Sequence, residues 1–385
     1  MNKIWLITAV LAVSAAIIGG IVYYWPEYGN ISPQVLAENA SSTIFFVKKA
    51  LPTPALVKGI YMTGYTFSQK ARRDKLFDLI AKTELNSVVI DFKDPGGKLM
   101  VKPLDERLAK WPLSSVSLKY EDYQAILVDL QTKDIYSIAR ITTFQDSTAA
   151  KTYPKVALKN TGGGIWQDYK GVTWLDMTNP ETWKLVAAQI KEAADIGFDE
   201  VQLDYIRFPS DGNLKSIAYY DFPAGSKRTA VLADFYSYLR QDLADLDIPL
   251  SIDLFGLTYQ RHPENPSYDM GIGQFLPDAA RYFDYISPMV YPSHYRSPYA
   301  GCANPVLCPY AVVDKAMKEG AAIMASSSNP VIGSSRPWLQ DFNLGAVYTA
   351  DRVKAQIKAA EDNNVNGWLL WNSGNNYTAG ALKLE

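Results

Sequence analysis

Histidine and cysteine are almost missing from this chain: His262, His294, Cys302 and Cys308 are all it has in 385 residues. With so few soft ligands an obligate zinc or iron centre is not expected, although carboxylates remain available to calcium, and no cofactor is implied. Neither sign of charge is in surplus. Lys and Arg number 38 against 40 Asp and Glu, a net charge of −2, and no run of basic residues occurs. That leaves nothing to hold a phosphate backbone, so no nucleic-acid partner is expected. Also absent are a G-x-S-x-G elbow, a P-loop, an H-E-x-x-H pair, a cysteine–histidine couple, and a glycine-rich turn after the first apolar strand. What remains for chemistry is carboxylates, with arginine, tyrosine and tryptophan around them. At 48% hydrophobic, the chain has enough apolar residues for a large globular core.

Long apolar runs are missing too, with one exception. Ile4 to Tyr24 is hydrophobic, follows Lys3 and is closed by Trp25-Pro26. A helix rises about 1.5 Å per residue, so this run is long enough for a bilayer core. The nearest small-residue cleavage site, Val35-Leu36-Ala37, lies well past it. Residues 1–26 therefore read as an uncleaved transmembrane signal-anchor, with Lys3 on the cytoplasmic side and the body outside the cytoplasm, on the periplasmic or extracellular face. A cleaved and secreted form is the alternative. Residues 27–56, with Pro, Asn and Ser and no sustained periodicity, read as a stalk. In an oxidising space, Cys302 and Cys308 are expected to close a small disulfide.

From residue 57 onward, β-rich runs alternate with helical patterns. The runs are Val57–Tyr65, Ser87–Asp94, Ile135–Phe144, Glu200–Phe208, Pro249–Leu257, Asp284–Pro292, Asn329–Leu339 and Asn366–Ser373. Helical periodicity marks Gln69–Thr83, Tyr120–Thr132, Pro180–Ile196, Lys227–Leu246, Val312–Ala325 and Asp351–Asn363. Eight such units predict an α/β fold, a (β/α)8 TIM barrel over 57–385, with enlarged loops after the third strand (Gln145–Asn179) and the sixth (Ser293–Pro309). A doubly wound open sheet is the weaker alternative. The carboxyl ends of barrel strands are where such folds build active sites.

The stretch EVQLDYIRFP, Glu200–Pro209, delivers Asp204 and then Arg207 at the end of a buried strand. Charges there are costly unless they serve each other or a ligand. Residues three apart point to opposite faces of a strand, so the strand must end near Ile206 for the two to share a site. Read with period two, Asp91, Arg140, Asp204, Asp253, Tyr291 and Asn372 are aimed at one mouth; Asp91 shares a face with Val89 and Lys93, and Asn372 with Leu370. Two carboxylates flanking a bond are what glycosidic hydrolysis needs, and aromatic side chains are platforms for sugar rings. Asp204 and Asp253 are the catalytic candidates, with Asp91 in reserve as the acid or as a partner of Arg140. Arg140 and Arg207 are expected to orient Asp204, Tyr291, His294 and Asn372 to bind hydroxyls, and Trp371 and Trp338 to stack on sugars. Asp176 reads as a turn cap before the helix at Pro180.

The segment Gly171–Gly212, with VKGIYMTGY, SVVIDFKD, SPMVYPSHY and GWLLWNSGNNYT, resembles a bacterial glycosyl hydrolase domain family, over nearly everything from Val57 to Tyr377. The resemblance implies a barrel related to carbohydrate-active enzymes, with the nucleophilic Asp at the end of the fourth strand matching Asp204. It implies an acid from the fifth or sixth strand, and Asp253 is the carboxylate available there. The expected function is glycoside hydrolysis of a cell-envelope or extracellular polysaccharide or oligosaccharide. The competing expectation is a non-catalytic carbohydrate-binding barrel. Oligomeric state, sugar identity and linkage are not legible.

Overall fold

A computed structural model describes residues 50–384. The expected anchor over 1–26, and the stalk up to residue 49, lie outside the described residues. Among the described residues, no helix is long and apolar enough to cross a membrane.

Eight strands pair in parallel and in chain order: β1 (Val57–Met62), β2 (Ser87–Lys93), β3 (Tyr136–Thr142), β4 (Glu200–Asp204), β5 (Leu250–Phe255), β6 (Tyr285–Val290), β7 (Trp338–Gln340) and β8 (Gly367–Trp371). β8 closes the ring on β1, with Val57 opposite Gly367. Gly367 has φ of 99°, and a Cβ there would strike the Val57 carbonyl, so glycine is needed where the barrel shuts. The helices longer than five residues are α1 (Lys70–Ile80), α2 (Tyr120–Thr132), α3 (Pro180–Ile196), α4 (Arg228–Asp242), α5 (Leu276–Tyr282), α6 (Pro309–Ala325) and α7 (Ala350–Asp362). The short α5 is not among the helices expected from periodicity. The expected eighth strand-plus-helix unit is incomplete, because a single 3-10 turn, Ala379–Ala381, follows β8.

The strands read as continuous apolar runs because both faces are covered, and period two decides which face each residue takes. Ile60, Val88, Ile90, Ile141, Leu203, Ile252, Ile286 and Leu370 join the large core under the helices. Val57, Tyr61, Val89, Tyr136, Ile138, Tyr291, Trp338 and Leu369 form a second cluster inside the barrel. At roughly 1.5–3 kcal/mol per fully buried large apolar side chain, the outer layer supplies most of the stabilisation. It has to offset a charged interior. Deep in the barrel, Arg336 pairs with Glu200, both side chains being fully buried. Glu200 also accepts from Ser251 Oγ at 2.5 Å and Tyr136 Oη at 3.2 Å, and the Tyr285 ring lies 4.6 Å from the guanidinium.

Local chemistry sets the helix ends. Asn179 caps α3 by accepting from Glu181 N at 3.0 Å, Pro180 takes the first turn, and Gly197 ends the helix with φ of 114°. The run expected as one strand over Asn329–Leu339 is split. Ser334–Ser335 pairs with β6, then Arg336-Pro337 interrupts, and β7 keeps only three residues. Gln356 of α7 ties that short strand down, donating to Gln340 O and accepting from Gln340 N.

Both expected loop enlargements are present. The loop after β3 folds into antiparallel bridges, among them Gln145 with Trp174 and Ala157 with Leu175, and its Lys159–Asn160 pairs with Ile217–Ala218 of the β4 loop. A third insertion, not expected, follows β2: Leu99–Val101 turns back on the strand and pairs with Leu113–Leu118.

In the loop after β6, Cys302 and Cys308 are disulfide-bonded, six residues apart in sequence. For a loop this short the chain-entropy account gives about 2 kcal/mol. Reduction is therefore expected to lower the calorimetric midpoint by a few degrees without unfolding the barrel. Superimposable scans with and without dithiothreitol would show that the bond does not constrain the chain.

Candidate functional site

Asp204 is the last residue of β4, and Tyr205 follows it with φ of 55°, a left-handed conformation that costs a non-glycine residue about 1–2 kcal/mol. The strand thus ends at Asp204, two residues before the end near Ile206 that the spacing of Asp204 and Arg207 required. Asp204 Oδ2 accepts from Arg140 Nη2 at 2.5 Å and Nε at 3.2 Å, and Oδ1 accepts from Tyr205 N at 2.6 Å. The third arm of Arg140, Nη1, donates to Asp91 Oδ1 at 2.7 Å, and Tyr61 Oη donates to Asp91 Oδ2 at 2.6 Å. Asp91 therefore has both oxygens engaged and lies as the partner of Arg140. Burial opposes the Arg140 charge, but Asp204 and Asp91 outweigh it and hold the guanidinium firmly protonated.

Asp253 lies on β5 beside this group. Leu203 is paired with Ile252, so Asp204 and Asp253 are the next step of the same register, on the same face of adjacent strands. Only 1% of Asp253 is exposed. Gln202 Nε2 at 2.6 Å and Trp338 Nε1 at 2.7 Å both donate to Oδ1, while Oδ2 takes no hydrogen bond and no cation pairs with Asp253 among the described residues. Burial, with the nearby Asp204 charge, pushes the Asp253 carboxyl well above the usual carboxylate range, against smaller opposing effects from Arg140, Trp338 and Arg336. Three carboxyl groups lie here around one guanidinium, which pairs with only two of them. Adjacent strands lie about 5 Å apart, and two unit charges at that spacing repel by about 3 kcal/mol at an effective dielectric constant of about 20. The carboxyl without a cation is the one driven well above the usual carboxylate range.

Around this centre, the Trp371 ring stacks on Tyr61 with centroids 4.0 Å apart, and the Arg140 guanidinium lies 5.2 Å from Trp371. Trp338 meets Trp371 edge-on at 5.4 Å. Its indole N–H is spent on Asp253, so Trp338 braces that carboxyl from a buried position. Tyr291 is 7% exposed, packs against Phe342 and His294, and its hydroxyl donates to no described residue. Burial, with the nearby Asp204 carboxylate, pushes its pKa well up, which keeps it a neutral donor. His294 is exposed at the rim, with Nδ1 3.0 Å from Ser293 Oγ.

Four side chains are placed differently from expectation. Arg207 does not touch Asp204; its Nη1 donates to Phe208 O at 3.1 Å and Ser210 Oγ at 3.3 Å, because the left-handed Tyr205 turns the chain away. Asn372 shares the outward phase of Leu370, and its amide donates to Asp341 O and Asn376 O while accepting from Gly374 N, so it holds its own loop. Lys93 leaves the phase of Asp91 because the register shifts between them, and it pairs with buried Asp146 at 2.8 Å. Trp338 braces Asp253 instead of offering a stacking face. Asp176 caps a turn as expected, accepting from Thr178 N at 2.9 Å.

Tyr61, Gln202 and Glu200 are contributors the sequence reading did not single out as site residues. The period-two phase contains the signal for each: Tyr61 alternates with Gly59, and Glu200 and Gln202 alternate with Asp204. Arg336 carries no such signal, since Pro337 breaks its strand.

Among solved structures, the chain is similar to the glycoside hydrolase domain of PgaB (BpsB) from Bordetella bronchiseptica, at 13% identity and a TM-score of 0.60, covering 86% of this chain and 99% of that one. It is also similar to a chitobiase of Flavobacterium johnsoniae, at 12% identity and a TM-score of 0.51, over 84% of this chain and 47% of that chain. A cycloalternan-degrading enzyme of Trueperella pyogenes matches at 10% identity and a TM-score of 0.52, over 85% of this chain and 45% of that chain. This chain thus spans about half the length of the last two. At such identities the likeness is one of fold. No curated protein matches. The family described as "Putative glycosyl hydrolase domain" matches residues 59–377, from within β1 to past β8, and the chain belongs to it.

Proposed function

We propose that this protein is a glycoside hydrolase in which Asp204 is the nucleophile and Asp253 the acid and base. The observation that carries this reading is the opposition of the two environments. Asp204 is matched by a guanidinium, whereas Asp253 is buried beside that carboxylate with no cation of its own. In the first step, Asp204 attacks the anomeric carbon through Oδ1, which carries a single hydrogen bond, and the glycosidic bond breaks. Asp253 gives its proton from Oδ2 to the departing oxygen. In the second step, Asp253 removes a proton from water, which attacks the same carbon and frees Asp204. Carboxylates side by side on adjacent, in-register strands suit this double displacement. Retention of configuration is therefore the expected outcome. Trp371 at the mouth offers a sugar-stacking face and Tyr291 a hydroxyl donor.

The substrate class in this reading is a cell-envelope or extracellular polysaccharide, with the body held outside the cytoplasm by residues 1–26. The disulfide supports an oxidising compartment. The test is release of reducing ends from a panel of envelope polysaccharides by the full-length protein, with Asp204→Asn as control. New ends retaining their anomeric configuration by proton NMR, absent with the variant, support the assignment. Binding without release by either protein would make the barrel a carbohydrate binder and overturn it.

A further inference from the structure

We propose that Arg207 is a receptor for an anionic group, so that the substrate of this site is an acidic glycan. The proposal rests on the glycosidase reading for its substrate class and deepens it. The two arginines buried inside the barrel, Arg140 and Arg336, are each matched by carboxylates. Arg207 is not. It is half-buried and forms no ion pair within the described residues; Asp204, Asp211 and Asp168 act on it only at longer range.

Its guanidinium is held by aromatic faces instead. Trp174 of the β3 loop lies 4.9 Å away, Phe255 at the end of β5 5.5 Å, and Tyr205 5.7 Å. Two of these rings adjoin the proposed catalytic groups: Tyr205 follows Asp204 directly, and Phe255 lies two residues past Asp253. Nη1 is occupied by Phe208 O and Ser210 Oγ, which fixes the plane of the fork. Nε and Nη2 donate to no described residue. A planar fork, oriented by three rings and with its Nε and Nη2 hydrogens unspent, is the arrangement that takes an oxyanion in two parallel hydrogen bonds. Packing alone does not call for it, because an uncharged side chain would fill the aromatic cage without bringing a cation away from water. A carboxylate, a sulfate and a phosphate share the required chemistry, and the hexuronate carboxylate best fits the planar fork.

The test is binding of full-length protein to a glycan array carrying hexuronate, sulfated, glycerol-phosphate and neutral glycans, comparing wild type with Arg207→Gln and Arg207→Lys. Retention of acidic glycans, weakened roughly 10- to 100-fold by Arg207→Gln, is expected. Arg207→Lys, which keeps the charge and stem but loses the fork, is expected to fall between them and guards against a glutamine variant that does not fold. Which acidic class is retained identifies the oxyanion. Retention of neutral glycans alone, of no acidic member, or of acidic members equally by all three proteins overturns the proposal. Hydrolysis of a neutral glycan indifferent to Arg207 would leave the glycosidase reading standing while this inference fell. Arg207-dependent binding of an acidic glycan that is never cleaved would do the reverse.

Discussion

Asp253→Asn is expected to lower turnover by about 100- to 10,000-fold, the range for loss of a general acid, while leaving glycan binding intact and making the protein more stable. The stabilisation follows from the hydrogen bonds. Both donors to Asp253, Gln202 and Trp338, reach Oδ1, which an asparagine retains. Its amide then replaces Oδ2, the oxygen without a partner. The sign of the pH dependence follows from the raised carboxyl. A group whose folded pKa lies above its unfolded value contributes stability that is complete below the unfolded carboxylate range and is lost as pH rises through the folded pKa. Wild type should therefore lose stability relative to the variant over that window, and the two should converge in acid. Near neutral pH the variant's midpoint should be higher by about 1–3 °C. In the proposed mechanism the same proton is expected to set the alkaline limb of wild-type kcat/KM, falling as Asp253 ionises. An asparagine variant that keeps wild-type turnover would take Asp253 out of the chemistry, and the same stability gap at every pH would mean that Asp253 is charged throughout.

Arg140→Met is expected to have the largest effect on stability. Asp91 and Asp204 both lean on this guanidinium, at 2.7 Å and 2.5 Å. Removing one partner of a buried ion pair costs about 3–5 kcal/mol, because the charge left behind has neither water nor counter-ion. The thermal midpoint should drop by about 5–15 °C. Burial raises the Asp91 carboxyl and Arg140 opposes that, so without the cation Asp91 should titrate higher still, and the deficit should be smallest in acid and grow as pH rises through its folded pKa. Asp91→Asn added to Arg140→Met should return part of the loss. Thermal melts between pH 4 and pH 8, a range of about 4 units spanning ordinary carboxylate titration, measure this directly. A deficit below about 1 kcal/mol would mean that the carboxyls do not depend on Arg140.

Alternation of residue type along the chain was enough to give seven of the eight barrel strands and the phase of most of their polar side chains. Tyr120–Thr132 and Pro180–Ile196 coincide with α2 and α3, where periodicity is strong and, for α3, the Asn179 cap and Pro180 mark the start. The reading failed where one residue shifts the phase. A register shift between Asp91 and Lys93 moves the lysine away from the aspartate, and Pro337 leaves β7 only three residues long. It also failed at Asn372, whose alternation with Leu370 marks it as outward only once the core under the helices is known.

The sequence by itself determined that a carboxylate would end the fourth strand and another would lie on the fifth, because burial pattern and strand ends are local properties. Which carboxylate receives the cation is not local. Arg140 lies 49 residues from Asp91 and 64 from Asp204, and only closure of the barrel aims its fork at both. Trp338, 85 residues beyond Asp253, likewise becomes the donor to that carboxyl only when β7 swings round to face β5. The upward shift of the Asp253 carboxyl belongs to the tertiary structure for the same reason. It depends on desolvation and on the distance to a neighbouring charge, and both are set by how strands remote in sequence meet across the barrel axis.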